Sequence, residues 1–284
     1  MSRNLRNSRN LKDNVLQGLI WASAVFTMGF LVWILFYIIS NGINHVSWSF
    51  ITDNYSRIDD SSGIWSMIVA TVYMVLLSLA IAAPIAIMTA IYLTEYAKPG
   101  SKLVQLVRFC TASLAGIPSI IYGLFGMTFF VTVMGLGFSL LSGALTLAIL
   151  ILPVIIRTTE EAIMAVPLAY REASYGLGAS RLYTITKVIL PSAMPGIVAS
   201  IILSTGRIIG ESAPVFLTAG MVARIPESVF DSARTLTVHL YMLTTELYTQ
   251  RDWDMAFASA TVLIVLVLSI NLLTRLITAR FNKR

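Results

Sequence analysis

The strongest constraint on this chain is a set of apolar runs with no place in a water-soluble fold. They cover about residues 16–40, 64–95, 109–156, 193–217 and 255–273. Each exceeds the roughly 18 residues that a helix needs to cross a bilayer. None carries the polar face that an outer helix of a soluble bundle must show to water. The third run is free of charge from Phe109 to Ile156, too long for one crossing and suited to two. Gly135 and Gly137 are the turn residues clustered near its middle, so the break falls there. The pattern predicts an all-α, polytopic membrane protein with six transmembrane helices. Pro84 is expected to kink the second, Gly116 and Pro118 the third, and the fourth should end near Arg157.

Charge supports the same count. Only 12% of residues are charged against 57% apolar, about half the charged share of a soluble domain. A net charge of +6 would suggest nucleic acid in a soluble protein, but here the cations sort by side. With six spans and both termini cytoplasmic, the inner segments hold Arg3, Arg6, Arg9, Lys12, Lys98, Lys102, Arg108, Arg157, Arg171, Arg181, Lys187, Arg275, Arg280, Lys283 and Arg284. The outer ones hold Arg57, Arg224, Arg234 and Arg251. That is the bias of cytoplasmic loops. The run from Val15 to Ser40 is about twice a secretory apolar segment and reads as an uncleaved first span. There is no phosphate-cradling Gly-rich loop, so ATP is not bound here. No His or Cys pair has metal-ligand spacing; His45 and His239 read as loop or interface residues, and Cys110 has no partner.

One long polar stretch interrupts the second half, from Tyr170 to Gly196. It reads as two short helices meeting at a glycine corner. Pro167 suits the first turn of the first helix, Gly178 can take the positive φ that ends it, and Ser180 can cap the second. Pro191 is expected to stop that second helix. A short helix held between two spans, with polar and apolar faces, is suited to docking on another protein.

The fifth span carries the other unusual feature. Arg207 lies mid-way along it, one turn before Glu211. A charge at bilayer depth costs about 2.5–3.5 kcal/mol even on the lenient scale, so such residues face a bundle interior or a watery path. Gly196, Ser200, Ser204, Arg207 and Glu211 recur at helical spacing and share one face. Two readings follow. Arg207 and Glu211 can be an internal ion pair that fixes helix register, with Gly206 and Gly210 spaced for close packing. Alternatively, Arg207 meets an anion in transit, its planar fork matched to phosphate or sulfate oxygens. Glu211 then favours phosphate, which still carries a P–OH proton to donate, over sulfate, which has none.

Glu172, Ala173, Ser174, Gly178, Val188, Leu190 and Pro191 fall on the pattern Glu-Ala-Ala, three residues, Gly, nine residues, Ile-x-Leu-Pro, with Ser174 for Ala and Val188 for Ile. In this the loop resembles that of permease subunits of bacterial ABC importers. Gly206-Arg207-Ile208-Ile209-Gly210-Glu211-Ser212-Ala213-Pro214 looks like the fifth-span signature of the PstA-type family of the phosphate-specific importer. The runs at Ala90–Tyr96, Ala115–Ile120 and Arg157–Glu160 are similar too. The resemblance implies a MetI-like permease fold in a bacterial inner membrane, transporting inorganic phosphate without being an enzyme. It implies a substrate pathway through Arg207, Glu211, Ser204 and Ser200. It implies ATPase coupling through Arg171, Glu172, Ala173, Ser174, Gly178, Leu190 and Pro191. The partners implied are a PstC-type second permease, a PstB-type ATPase dimer that binds ATP and Mg, a PstS-type external binding protein, and membrane lipid.

The chain divides on this reading into residues 1–63 (arm, first span, first outer segment) and a permease core at 64–284 with its coupling loop at 158–192. A permease for sulfate or molybdate is the neighbouring alternative. A membrane enzyme acting on lipid phosphates, or a structural subunit without a pathway, would be the others.

Overall fold

The computed structural model describes residues 2–56, 61–98, 100–245 and 249–281, with backbone alone at 2–12, 56, 61, 274 and 277–281. Five helical stretches are long and apolar enough to cross a bilayer: Asp13–His45, Trp65–Tyr96, Leu140–Met164, Arg181–Gly210 and Gln250–Leu273. Two further helices, Lys102–Ala115 and Ser119–Val133, bent by 103°, make a sixth when counted as one broken span. The described residues therefore carry five to six spans, in keeping with the six expected. Arg57, Lys283 and Arg284, with the side chains of Arg3, Arg6, Arg9, Lys12 and Arg280, lie outside them.

The elements in order are α1 (Ser2–Gly42), α2 (Trp48–Thr52), the two-residue strands β1 (Tyr55–Ser56) and β2 (Ser61–Ser62), α3 (Trp65–Ile91), α4 (Lys102–Ala115), α5 (Ser119–Gly126), α6 (Leu140–Met164), α7 (Leu168–Gly176), α8 (Arg181–Thr184), α9 (Leu190–Gly210), α10 (Ala213–Thr218), α11 (Leu236–Thr245) and α12 (Gln250–Phe281). Wide π turns extend α3 (Tyr92–Tyr96) and α5 (Met127–Val133), and join α8 to α9 (Ile185–Ile189). Antiparallel β1 and β2 form a hairpin before α3.

α3, α6 and α9 build the core. In lipid there is no hydrophobic gain from joining apolar helices, so close approach of backbones must supply the contact. The sequence provides small residues at helical spacing for this. Ala82, Ala86 and Ala90 recur every four residues on α3, and Ala144 and Ala148 do so on α6; all are buried. On α9, a Cβ added to Gly196 would stand 2.4 Å from the Ala162 Cβ of α6. Gly196→Val is therefore expected to prise α9 from α6 at about 1–3 kcal/mol, read as a lower unfolding temperature of the purified chain in detergent.

α1 stands apart from this core. Leu19, Phe26, Val32 and Phe36 are exposed, while its last turns meet α12 where Tyr37 packs on Phe257 at 5.7 Å. A Cβ at Gly42 would lie 2.2 Å from the Phe257 carbonyl oxygen. At the same end of the bundle, His239 of α11 is buried beside Tyr55, ring centroids 5.2 Å apart. Burial, aided by the nearby Arg234 charge, pushes its imidazole down to about 3, so it stays neutral in the core. It is a packed residue rather than a loop one.

Several boundaries differ from the sequence reading, each for a physical reason. The turn between the third and fourth spans is as expected, with Gly135 and Gly137 at φ 68° and 65°. α6, however, runs past Arg157 to Met164. Charge does not end a helix there because it is paired: Arg157 with Glu161 at 3.1 Å along α6, and Arg108 of α4 with Glu160. Residues 158–164 thus belong to the span rather than to a loop. Pro191 does not stop a helix either. From Arg181 to Gly210 the chain is continuously helical, and the wide turn at Ile185–Ile189 lies just before Pro191. Such a turn leaves room for a ring that would clash in a regular helix and for its missing N–H. The second helix of the polar stretch is therefore the lower end of the fifth span.

Nor is that span one helix to Leu217. α9 ends at Gly210, Glu211 is extended (φ −78°, ψ 124°), and α10 begins at Ala213.

Candidate functional site

The depth of Arg207 follows from register. α6 and α9 run antiparallel, with Gly196 against Ala162 and, further on, the Ser139 N–H donating to the Thr218 carbonyl at 3.1 Å. Both pairs sum to nearly the same value (358 and 357), so Arg207 comes level with about residue 151. That is near the middle of Leu140–Met164. Arg207 is thus level with the middle of α6, although it lies in the last turn of the continuous helix Arg181–Gly210 rather than mid-way along it, and the fifth span breaks beside it, at Glu211 and Ser212.

The third span breaks nearby. Pro118 cannot donate, and with Gly116 and Ile117 it separates α4 from α5. The Tyr122 hydroxyl donates to the Leu114 carbonyl at 2.7 Å, which also accepts from the Ile117 N–H at 3.1 Å, so α5 is tied back to the end of α4 across the break. The expected kink is thus a full break. A Cβ at Gly123 would be 2.9 Å from the Pro214 Cα, so the two interrupted spans touch one turn beyond their breaks. Non-helical backbone at membrane depth is tolerated where it is packed in protein or lines a cavity.

At the broken end of α9, the Thr237 hydroxyl donates to the Ile209 carbonyl. Arg207 lies in the last turn, where its charge suits the negative helix end. Its Nε lies 3.6 Å from Glu211 Oε1, with the two side chains 34% and 15% exposed. At that distance the pair is ionic rather than hydrogen-bonded. The guanidinium makes no hydrogen bond among the described residues, so its fork of donors is open. By contrast, Ser200 and Ser204 are buried. Ser200 donates to the Ile197 carbonyl at 2.7 Å, and the Ser204 hydroxyl has no hydrogen-bond partner among the described residues. The polar stripe divides: its lower part is helix contact within this chain, and its upper part, Arg207 and Glu211, opens outward. Added Cβ atoms at Gly206 and Gly210 would meet nothing within 4 Å, so those glycines pack on nothing in this chain.

The second region is the polar loop at one end of the bundle. α7 is followed by Gly178 at φ 81°, and the Ser180 hydroxyl accepts from the Tyr183 N–H at 3.3 Å, as the sequence suggested. Pro167 immediately precedes α7. Glu172 and Ala173 are exposed, and Tyr170, Leu177 and Tyr183 add apolar surface, Leu177 at 90% exposure. A groove of about 690 Å³ between the two pieces is lined by Tyr170, Ala173, Leu177, Gly178 and Tyr183. Leu190 is half-buried and Pro191 exposed. Arg171 and Ser174 turn the other way. Ser174 shares a buried hydrogen bond with Thr184 at 2.8 Å, and Arg171 pairs with Glu95 at 2.8 Å. Sequence reasoning missed Glu95 as a partner. The available signal was a carboxylate at the end of an otherwise apolar run.

Two interrupted spans that touch beside an arginine, and an exposed polar loop at one end of the bundle, are the features to set against known proteins. The chain belongs to the family of binding-protein-dependent transport system inner membrane components, whose pattern matches residues 82–284. It is a multi-pass membrane subunit of a transporter and not an enzyme. It is 33% identical over 290 residues to the probable ABC transporter permease protein YqgI of Bacillus subtilis, covering 98% of each chain. It is 32% identical over 282 residues to the phosphate transport system permease protein PstA 1 of Mycobacterium tuberculosis (strain CDC 1551 / Oshkosh), covering 97% of this chain and 91% of that one. In fold it is similar to a chain of the inward-facing MetNI methionine ABC transporter, with TM-score 0.60 and 22% identity over 80% of this chain and 99% of that one. The MetI-like permease fold expected from the sequence is therefore the fold observed.

Proposed function

We propose that this chain is the membrane-spanning permease subunit of an ATP-driven importer of inorganic phosphate, forming half of the path and docking on the ATPase through the loop around Glu172–Gly178. Relatives named as phosphate permeases over nearly the whole chain support the substrate. The observation that carries the chemistry is the Arg207 guanidinium, at mid-depth and a third exposed, with one ionic partner and an open fork of donors. Phosphate offers oxygens for that fork and a P–OH for Glu211. The path runs between this chain and a PstC-type permease, which covers the face at Arg207, Gly206 and Gly210. A PstB-type ATPase dimer binds ATP and Mg, and a PstS-type protein delivers phosphate from outside. Both termini and the polar loop lie on the cytoplasmic side of the bacterial inner membrane, where the ATPase is.

The test is uptake of labelled phosphate into vesicles holding the complete complex, with sulfate as competitor. Wild type takes up phosphate and ignores excess sulfate. Glu211→Gln loses a hydrogen bond to a charged acceptor, worth about 1.5–3 kcal/mol, so discrimination falls roughly ten- to hundredfold. Unchanged uptake and unchanged discrimination would rule out this role for Glu211.

A further inference from the structure

Within the docking loop, Arg171 is built unlike its neighbour Glu172. Its Nε and Nη2 donate to the same Glu95 oxygen at 3.2 and 2.8 Å, its Nη1 to the Val166 carbonyl at 2.8 Å, and its Nη2 to the Ile163 carbonyl at 3.0 Å. Both side chains are nearly out of solvent, at 15% and 7% exposure. A second arginine of the loop does something parallel. The Arg181 guanidinium lies over the Tyr96 ring, 4.7 Å from its centroid. Glu95 and Tyr96 are adjacent in the wide turn Tyr92–Tyr96 that ends the second span. Both halves of the loop, one on each side of the Gly178 corner, therefore grip the same π turn.

We infer that Arg171 and Arg181 are positioning residues that clamp the docking loop to the second span through Glu95 and Tyr96, so that ATPase movement reaches the bundle through this joint. Three features of the geometry lead there. A guanidinium with four of its five N–H donors engaged inside the chain and 15% of its side chain exposed is built to hold this chain together rather than to reach a partner, whereas Glu172 beside it is exposed and makes no hydrogen bond or ion pair among the described residues. α7 is joined to the chain by Ala165–Pro167 and the Gly178 corner, and its Ser174 bonds Thr184 of α8, but its side-chain hold on the second span is Arg171 on Glu95. Finally, Arg171 joins three elements at once: α7, the end of α6 through the Ile163 carbonyl (with Val166 in the link that follows it), and the turn that ends the second span through Glu95. Arg181 starts the continuous helix of the fifth span, so its hold on Tyr96 links that span to the second. A force applied at Glu172 and Leu177 then moves the second, fourth and fifth spans together.

This inference rests on the reading of the chain as an ATP-driven permease, and its experiment separates the two. The complete complex in vesicles is assayed for labelled phosphate taken up per ATP hydrolysed, for binding-protein stimulation of ATP hydrolysis, and for ATPase retained on the tagged permease. Arg171→Gln and Glu95→Gln are expected to keep the ATPase bound and basal hydrolysis within about twofold. Uptake per ATP and binding-protein stimulation fall tenfold or more. Arg171→Glu combined with Glu95→Arg restores part of both. Tyr96→Leu, which buries no unpaired charge, assembles fully and lowers uptake per ATP two- to threefold. Loss of the ATPase with Arg171→Gln would make Arg171 a docking residue and overturn the inference. So would unchanged uptake per ATP in both Gln variants, or poor assembly of both with a fully coupled Tyr96→Leu. If wild type itself takes up no phosphate, the substrate reading fails, while binding-protein stimulation still reports on the clamp.

Discussion

Arg207→Ala is expected to lower phosphate uptake by at least about a hundredfold while the complex still assembles and still hydrolyses ATP. The side chain offers an anion two or more charge-assisted hydrogen bonds, each worth about 1.5–3 kcal/mol, so their loss removes a factor of roughly 10² or more. Assembly survives because, among the described residues, the guanidinium makes one ionic contact, at 3.6 Å, and no hydrogen bond. The breaks in the third and fifth spans are held by other groups, the Tyr122 hydroxyl on Leu114 and the Thr237 hydroxyl on Ile209. Arg207→Lys refines the test, because it keeps the charge but not the planar fork. Its uptake should fall between alanine and wild type, with a weaker preference for phosphate over smaller anions. A complex that transports normally with alanine at this position would leave the ion pair as a register device and nothing more.

Glu172→Lys is expected to release the ATPase from the membrane complex, measured as the ATPase retained on the tagged permease after washing. Glu172 is exposed on α7 beside Tyr170 and Leu177. Reversing its charge costs the chain nothing internally. At a docking surface, loss of a central anchor typically costs 2 kcal/mol or more, about thirtyfold in affinity. Charge reversal adds repulsion if the partner offers a cation. Uptake should vanish with the lost ATPase, whereas in the Arg171 variants the ATPase stays and only coupling fails. The two adjacent residues thus separate docking from transmission.

Much of the docking loop was legible because its devices are local. Gly178 takes its positive φ and Ser180 caps its helix from interactions within three or four residues, which residue type and spacing already specify. The turn at Gly135 and Gly137 is equally local. Pro191 is the opposite case: a proline weakens a helix without having to end it, as Pro84, Pro153 and Pro195 inside α3, α6 and α9 also show, and nothing in the local residues announces the π turn at Ile185–Ile189 that precedes it. The end of α6 was placed too early because Arg157 and Glu160 look like solvent residues until Glu161 and Arg108 are seen to pair with them.

The linear chain by itself determined that this is a helical membrane protein of up to six spans, with one polar loop built of two short helical pieces and an arginine in its fifth apolar run. Hydrophobic length, cation asymmetry and helical periodicity are sums over neighbours in sequence, and lipid enforces them segment by segment. Only tertiary structure decided which face of each polar residue matters. Ser200 and Ser204 share a stripe with Arg207 but are buried in the bundle, whereas Arg207 beside the break at Glu211 is a third exposed. Arg171 and Glu172 are one residue apart, yet the first is drawn inward by Glu95, which lies 76 positions earlier in the chain. No periodicity encodes such a pairing; it exists once the second span and the loop end at the same corner of the bundle.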